Sequence, residues 1–587
     1  MSKLTSLTTD VAVVGGGLAG VCAAIAAARH GTKVILIQDR PVLGGNTSSE
    51  IQVHATGADC SGGRPHAREG GILEEMRLEE AIRNPQRCGQ VWDLVLWDFV
   101  TREKNLTLLL NSTCIGAEVE DNLIKSIRVA RESTEDQFEI SARVFIDCSG
   151  DGRLGAEAGA EFRYGREGKD EFGEPDAEGP DNKTMGCSLM FIAKDMGVPV
   201  PFKAPEWAYK FTDETLPHRG HMELSHGHWW IEYGGELDIV KDAEQIRDHL
   251  LACLMGLWDH VKNGGKHGAE NWALTWFSFV PGKRESRRIV GEHLLTEVDL
   301  LELKQFPDAV AHGGWSIDTH PPAGIHSTEP PSKHLNTPDV YGIPLRCLIA
   351  RDVKNLMMAG RCHSATHMAM ASTRVAATGA VMGQAAGTAA ALSLKKKCLP
   401  GQVAADHAAE LQQTLLRDDQ FIPNVVNEDR RDVARNATVT ASSAAPDCPP
   451  EKVIDGVTRL RDGDLHQWVS AEGQKGPHWL ELEFGGGLWL KELHLTFDTG
   501  FARPLTLTQS DSFNSRIVRG AQPETVRDYV VEVRSGGQWR EQLRVVDNYQ
   551  RKLVHRLSGE PVEAVRIVIL RTNGDPQARV YEVRAYE

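Results

Sequence analysis

The stretch that most constrains this chain is GGGLAG, residues 15–20. A short apolar run from Asp10 to Val14 leads into it, an alanine-rich segment VCAAIAAARHGTK follows, and a second apolar run, VILI, spans Val34 to Ile37. Strand, tight turn, helix and strand within about thirty residues make a βαβ unit. Gly15, Gly17 and Gly20 occupy the three glycine positions of GxGxxG. The first permits the tight turn, the second lets a pyrophosphate approach the backbone, and the third lets the helix pack on the sheet. The helix start then offers N–H groups and a partial positive charge to a phosphate, so a dinucleotide is expected here. Gln38 and Asp39 stand where an acid would bind a ribose hydroxyl, and both are candidates for that contact.

At 587 residues the chain exceeds one ordinary domain. Its formal charge of −16, with no compensating Lys/Arg block, argues against a nucleic-acid binder that works by neutralising phosphates. The start, MSKLTSLTTD, has no apolar segment behind a basic one, and the 11 cysteines show no CxxC pairs. A cytoplasmic protein without a zinc motif or disulfide framework is expected. Val375 to Leu394 carries no charge, but its Ala, Gly and Thr content lacks the Leu, Ile and Phe that drive membrane insertion. Such a run reads as a buried helix that another backbone, or a flat ligand, approaches closely.

Further segments carry a resemblance: RPVLGGNTSSE (40–50), FIDCSGDGRLGAEAGA (145–160), PGKRESRRIVGEHLLTEVDL (281–300), and the stretch from LMMAGRCHSATH to GQAAG. Together with the glycine-rich turn they resemble the bacterial family of FAD-dependent oxidoreductases, of a build shared with fumarate reductase and glutathione reductase. The resemblance implies FAD as cofactor, held without a covalent bond, with His54 the histidine nearest the GGN segment. It implies cofactor contacts from Arg40, Gly44, Gly45, Asn46 and Ser48, from Asp151 near the phosphates, and from Gly360, Arg361, Thr378 and Gly379. The helix that holds Thr378 would point its positive end at the flavin.

Oxidising an alcohol by hydride transfer needs a base for the hydroxyl proton, and His is the usual choice. His363 and His367, between the returning strand and that helix, are the first candidates; His320 and His326, in the proline-rich DTHPPAGIHSTEPP, are the second. Arg284, close to Arg287 and Arg288, could anchor a carboxylate or polarise a carbonyl, and Arg374 could clamp an anionic group. No metal site is expected, because no spacing among these histidines matches a zinc motif.

Residues 163–344 should cap the flavin. Seven of the 13 tryptophans fall there: Trp207, Trp229, Trp230, Trp258, Trp272, Trp276 and Trp315. Indole faces suit the C–H faces of sugar rings, although core packing claims tryptophans too. HGHWWIEYGGE reads as a cap strand with His226 and His228 on one face.

From Ala434 onward, short alternating strands between Gly, Asp and Pro turns indicate a β-sandwich. NATVTASS, the IDG turn at 454–456, Trp468 and WLELEF resemble a galactose-binding-like, discoidin-type module. The expected fold is therefore α/β: a Rossmann-type FAD-binding domain (1–162 and 345–398), an inserted α+β cap (163–344), a helical linker (399–433), and an all-β jelly-roll sandwich (434–587).

The expected activity is oxidation of a secondary alcohol on a saccharide or glycoside, with a separate electron acceptor, no nucleic acid and no membrane span. A fumarate-reductase-like reaction at a C–C bond of a carboxylate is the enzymatic rival. A carbohydrate-binding protein with structural FAD is the alternative of another class.

Overall fold

The computed structural model describes every residue except 1–3, 61–62, 266 and 558–560. The chain divides into two compact units: Met1–Arg64, Gln86–Leu411 and Thr506–Arg516 form the first, and Pro65–Pro85, Gln412–Leu505 and Ile517–Glu587 the second.

The first unit is built on β1 (Val11–Val14), α1 (Leu18–Arg29), β2 (Val34–Ile37), β3 (Leu106–Leu109), β4 (Val144–Asp147) and β5 (Leu356–Met358). The strands form one sheet in the order β5-β4-β1-β2-β3, every neighbouring pair parallel. β1 and β2 are buried at every position, which is why they read as unbroken apolar runs rather than alternating ones.

After β5 the chain forms α2 (His367–Thr373) and α3 (Ala376–Lys396), which meet at 94°. The charge-free run is thus the body of α3, and its glycines at 383 and 387 let another helix approach. A Cβ added to Gly383 would lie 2.0 Å from Ala19 O, and one on Gly387 2.1 Å from Ala23 O. α1 and α3 therefore touch backbone to backbone. No single described helix is long and apolar enough to cross a membrane.

In the cap, the helix Ala243–Asn263 buries Ile246, Leu250, Leu254, Leu257, Trp258 and Val261, a 3/4-spaced stripe. That stripe shares a core with Phe191, Ala193, Trp230 and Ile231. The expected strand in HGHWWIEYGGE shortens to Glu232–Tyr233, paired with Cys187–Ser188. Upstream, Gly227 passes so close to the Phe191 ring that a Cβ there would lie 2.2 Å away, and His228 stacks flat on Trp230.

The second unit contains β6 (Thr438–Ala441), β7 (Trp468–Val469), β8 (His478–Leu488), β9 (Glu492–Phe497), β10 (Val526–Ser535), β11 (Gln538–Val545), β12 (Lys552–Arg556), β13 (Val562–Thr572) and β14 (Arg579–Tyr586). They form two antiparallel sheets, β6-β8-β13-β10-β11 and β7-β14-β9-β12. Alternate residues of both sheets meet in one core that includes Trp468, Leu482, Phe497, Tyr529, Ile567 and Ile569.

Residues 65–85, read from sequence as part of the FAD-binding region, belong to this second unit. Their helix, Ile72–Arg83, buries Glu74 and Glu80 as well as apolar groups. Arg68 bonds Glu74 at 2.8 Å, Thr499 Oγ1 donates to the same carboxylate at 2.7 Å, and Glu80 is paired by Arg519. These acids find their partners in the C-terminal part of the chain, which a hydrophobic pattern cannot reveal.

Candidate active site

The N-terminal glycines divide the labour as their positions predict. A Cβ on Gly15 would lie 2.3 Å from Cys148 O, and one on Gly20 1.8 Å from Gly15 O, so both are demanded by the packing of turn, helix and sheet. Gly17 is different. A Cβ there would meet nothing nearer than Gly45 Cα at 3.9 Å, so its missing side chain leaves open space at the start of α1, which no side chain caps. That is the cradle a pyrophosphate would fill.

Gly44 and Gly45 border the cradle: Gly44 N–H donates to Gly16 O at 2.8 Å, and both glycines have positive φ. At its far side Gly379, in the first turn of α3, lies against Gly360, with 3.4 Å between its Cβ position and Gly360 Cα. Thr378 is buried in the same turn.

Several polar atoms on the segments that follow these glycines are buried without a hydrogen-bond partner among the described residues, including Ser48 Oγ, Arg361 Nη1 and His363 Nε2, while Arg40 Nη1 faces Glu50 at 3.3 Å. A guanidinium donor and a hydroxyl in want of acceptors fit an anionic, oxygen-rich cofactor such as FAD.

Two of the expected cofactor contacts are occupied otherwise. Gln38 accepts from Gly16 N–H at 2.7 Å and donates to Val42 O at 3.0 Å, so it clamps the glycine turn instead of reaching a ribose. Asp39, exposed at the end of β2, is left as the acid there. Asp151 accepts from Lys283 (2.5 Å), Ser286 (2.8 Å) and Arg361 (3.2 Å), so it is an ion-pair node and not a free acceptor beside phosphates. Burial opposes its charge, but Arg361 and Lys283 hold its carboxyl well below the usual range. Asn46 reaches the same strand, donating to Lys283 O at 2.8 Å.

One residue beyond Lys283, Arg284 enters a second cluster. His320 Nδ1 lies 2.7 Å from Glu232 Oε2, and its Nε2 lies 3.2 Å from Arg374 Nη2 and 3.3 Å from Asp318 Oδ1. Arg374 donates to Asp318 Oδ2 at 3.0 Å, and Arg284 stands 3.4 Å from Glu232. Burial would raise both carboxyls. Arg284 and His320 nevertheless hold Glu232 below its ordinary value, and His320 and Arg374 hold Asp318 far below.

An ionised carboxylate only accepts, so Nδ1 of His320 donates toward Glu232, while Nε2 stands between the Arg374 donor and the Asp318 acceptor. Trp229 stands edge-on to this imidazole, ring centroids 5.3 Å apart, and Arg284 donates to its carbonyl at 3.0 Å. Arg374 sits at the corner between α2 and α3, next to the start of α3, which explains how a cap cluster comes to lie beside the FAD-binding fold.

The other candidates are placed elsewhere. His363 is wholly buried in the turn after β5, with Nδ1 2.7 Å from Gly360 O, and burial pushes it down to about 4. His367 begins α2 and pairs with buried Glu285 at 2.8 Å, in a network where Arg288 bonds Glu167 at 2.9 Å. His326 is exposed, with Nε2 2.7 Å from His249 Nε2. Arg287 donates to Asp151 O at 2.8 Å. His54 is half-buried, stacks on His226 and Phe513, and meets Thr508 at 2.9 Å.

Among the tryptophans, Trp230 and Trp258 are core, whereas Trp207 is 59% and Trp229 41% exposed. Sequence reasoning missed Glu232, Asp318 and Lys283. Asp318 and Glu232 lay inside segments singled out for their histidines, yet nothing in their spacing connects them.

The model of the family described as FAD dependent oxidoreductase matches residues 10–415. No curated protein matches the chain. Among solved structures, a family 32 carbohydrate-binding module of C. perfringens NanJ in complex with galactose is similar at 14% identity, covering 27% of this chain and 98% of that one, with a TM-score of 0.21. Chitosan-binding module 1 from the chitosanase/glucanase of Paenibacillus sp. IK-5 is similar at 18% identity, with the same coverage and a TM-score of 0.20.

Proposed function

The chain belongs to the family of FAD dependent oxidoreductases, and from that premise we propose that it oxidises a secondary alcohol of a saccharide or glycoside, with His320 accepting the hydroxyl proton. The observation that carries this reading is the Glu232–His320 pair, which orients a buried imidazole by its Nδ1 and turns Nε2 into a cluster of two arginines and two carboxylates. FAD, when bound, supplies the two-electron oxidant that takes the hydride from the carbinol carbon.

Glu232 orients the imidazole and stabilises the imidazolium formed when Nε2 takes the O–H proton. Asp318 secures Arg374 at 3.0 Å and so holds the guanidinium beside Nε2, where the substrate hydroxyl would bind. Arg374 Nε is buried without a hydrogen-bond partner among the described residues and is available to a second substrate oxygen.

Two arginines against two carboxylates leave the cluster formally neutral. That balance favours an uncharged polyol over a carboxylate, which would need a cation in excess. The partly exposed Trp229 face beside the base suits the C–H face of a sugar ring. Arg40, Ser48 and Arg361, with the open space at Gly17, are the groups that would hold FAD.

The test is anaerobic addition of neutral mono- and oligosaccharides, and separately of dicarboxylates, to the purified flavoprotein. Bleaching of the flavin bands by a neutral sugar is expected. Bleaching by dicarboxylates alone would overturn the proposal in favour of C–C chemistry.

A further inference from the structure

Away from the cofactor cradle and the His320 cluster, the cap gathers four side chains that no spacing in the sequence announces. We infer that Asp213, His221, His260 and His267 form a tetrahedral site for a divalent transition metal, zinc by preference.

One ligand atom from each of the four lies within 4.8 Å of all the others. His221 Nε2 is 3.0 Å from His267 Nε2, and Asp213 Oδ1 is 3.0 Å from His260 Nε2 and 3.3 Å from His221 Nε2. Ligands held about 2.0–2.1 Å from a tetrahedral zinc stand roughly 3.3 Å from one another, so three of the separations already match, and Asp213 Oδ1, 4.0 Å from His267 Nε2, has only to draw in for the tetrahedron to close. The three imidazole centroids are 4.8–5.1 Å apart, and their planes are inclined by 46–71°. Each ring thus turns the same nitrogen to a common centre.

The outer contacts agree. His221 Nδ1 lies 2.8 Å from Arg219 O, a carbonyl that can only accept, so the ring proton is on Nδ1 and Nε2 is left as a donor to a metal. Arg219 is itself fixed, donating to Gly324 O at 2.7 Å and Pro217 O at 2.9 Å. The three imidazoles are nearly buried, with 11%, 9% and 3% of their side-chain surface exposed, whereas Asp213 is open enough to serve as the entry side.

Three nitrogens and one carboxylate oxygen suit zinc, and four protein ligands leave no open position, which marks the site as structural. It would clip the turn at Asp213 and the loop at His221 to the last turn of the helix Ala243–Asn263 and to the segment just beyond it. The chain leaving His221 continues to Trp229 and Glu232, so the clip anchors the root of the segment that lines the His320 cluster.

The experiment uses the untagged, full-length flavoprotein. Elemental analysis after dialysis is expected to find about one zinc per chain, falling toward zero in His260→Ala and His221→Gln and unchanged in His249→Ala. Flavin content reports that each variant is folded. After chelation, Co2+ added to the wild type should give intense tetrahedral ligand-field bands to the red of the flavin absorption, a readout that needs no variant. A wild type that neither retains zinc nor gives those bands would overturn the inference. So would a thiolate-to-cobalt band abolished by Cys253→Ala, which places the metal at His249, Cys253 and His326 instead.

Discussion

The interiors of the two units are built on opposite rules. The seam between α1 and α3 consists of alanine and glycine, and its closeness depends on side chains that are missing. The sandwich core consists of Trp468, Phe497, Tyr529, Ile567 and Ile569, and its cohesion depends on side chains that fill the space between two sheets. A small-residue seam buries little apolar area per residue and is sensitive to any added atom. A large-residue core is sensitive to any atom removed.

The largest expected effect comes from adding atoms to the seam. Gly383→Val places branched carbon against Ala19 O, where even a Cβ lies 2.0 Å away, and should yield protein without bound flavin, read from the visible spectrum. Retained flavin and an unchanged melting temperature would dismantle the comparison.

Next in size, His320→Asn touches neither interior and should lower kcat by about 10²–10⁴ while flavin content stays at the wild-type level. A wild-type rate would remove His320 as the base and return attention to His367, the other histidine paired with a buried carboxylate.

In the sandwich, Ile567→Ala should cost about 2–5 kcal/mol, measured by denaturant unfolding of the full chain, with flavin stoichiometry preserved. A cost below about 1 kcal/mol would mean that the sandwich core closes over a lost side chain and is not held by fill.

The smallest effect is a pH dependence that both units share, because burial lowers His478, His494 and His555 of the second unit as well. In the first unit burial pushes His54 down to about 3, and His226, His228 and His363 down to about 4. Unfolded histidines bind protons near 6.5, so between 6.5 and about 4 the unfolded chain holds more protons and stability falls as pH falls. This contribution is fully present above 6.5 and lost on descending through the folded values. Flavin release, followed by fluorescence, and loss of the β-sheet circular dichroism should therefore both advance as pH falls from 7 to 4. Signals that hold unchanged over that range would contradict it.

What the sequence makes legible follows the same division. The glycine-rich turn and the strands around it are local: Gly15 and Gly20 meet atoms of the turn itself and of the chain leaving β4, so spacing alone exposes them. The alternation of WLELEF and VRIVIL is local in the same sense. Glu232 and His320, by contrast, are joined by the fold across the whole cap, and Asp213, His221, His260 and His267 converge from a turn, a loop, a helix end and the segment beyond it. Histidine and aspartate carry no mark of which partner they will meet. Gln38 shows the same limit at short range: its position promised a ribose contact, but its amide fits the turn beside it.

The composition of the second unit imposes an order of birth. Residues 65–85 leave the ribosome early, yet Arg519, which pairs buried Glu80, is made far later. At about 5–20 residues per second, that wait is on the order of 20–90 s. Throughout it the first unit can begin to close around its βαβ core while the helix Ile72–Arg83 waits, its acids in water, for a sandwich not yet synthesised. A gene cut at residue 434 would deliver the strands without that helix, so the unit as found here is a product of two stretches far apart in the chain.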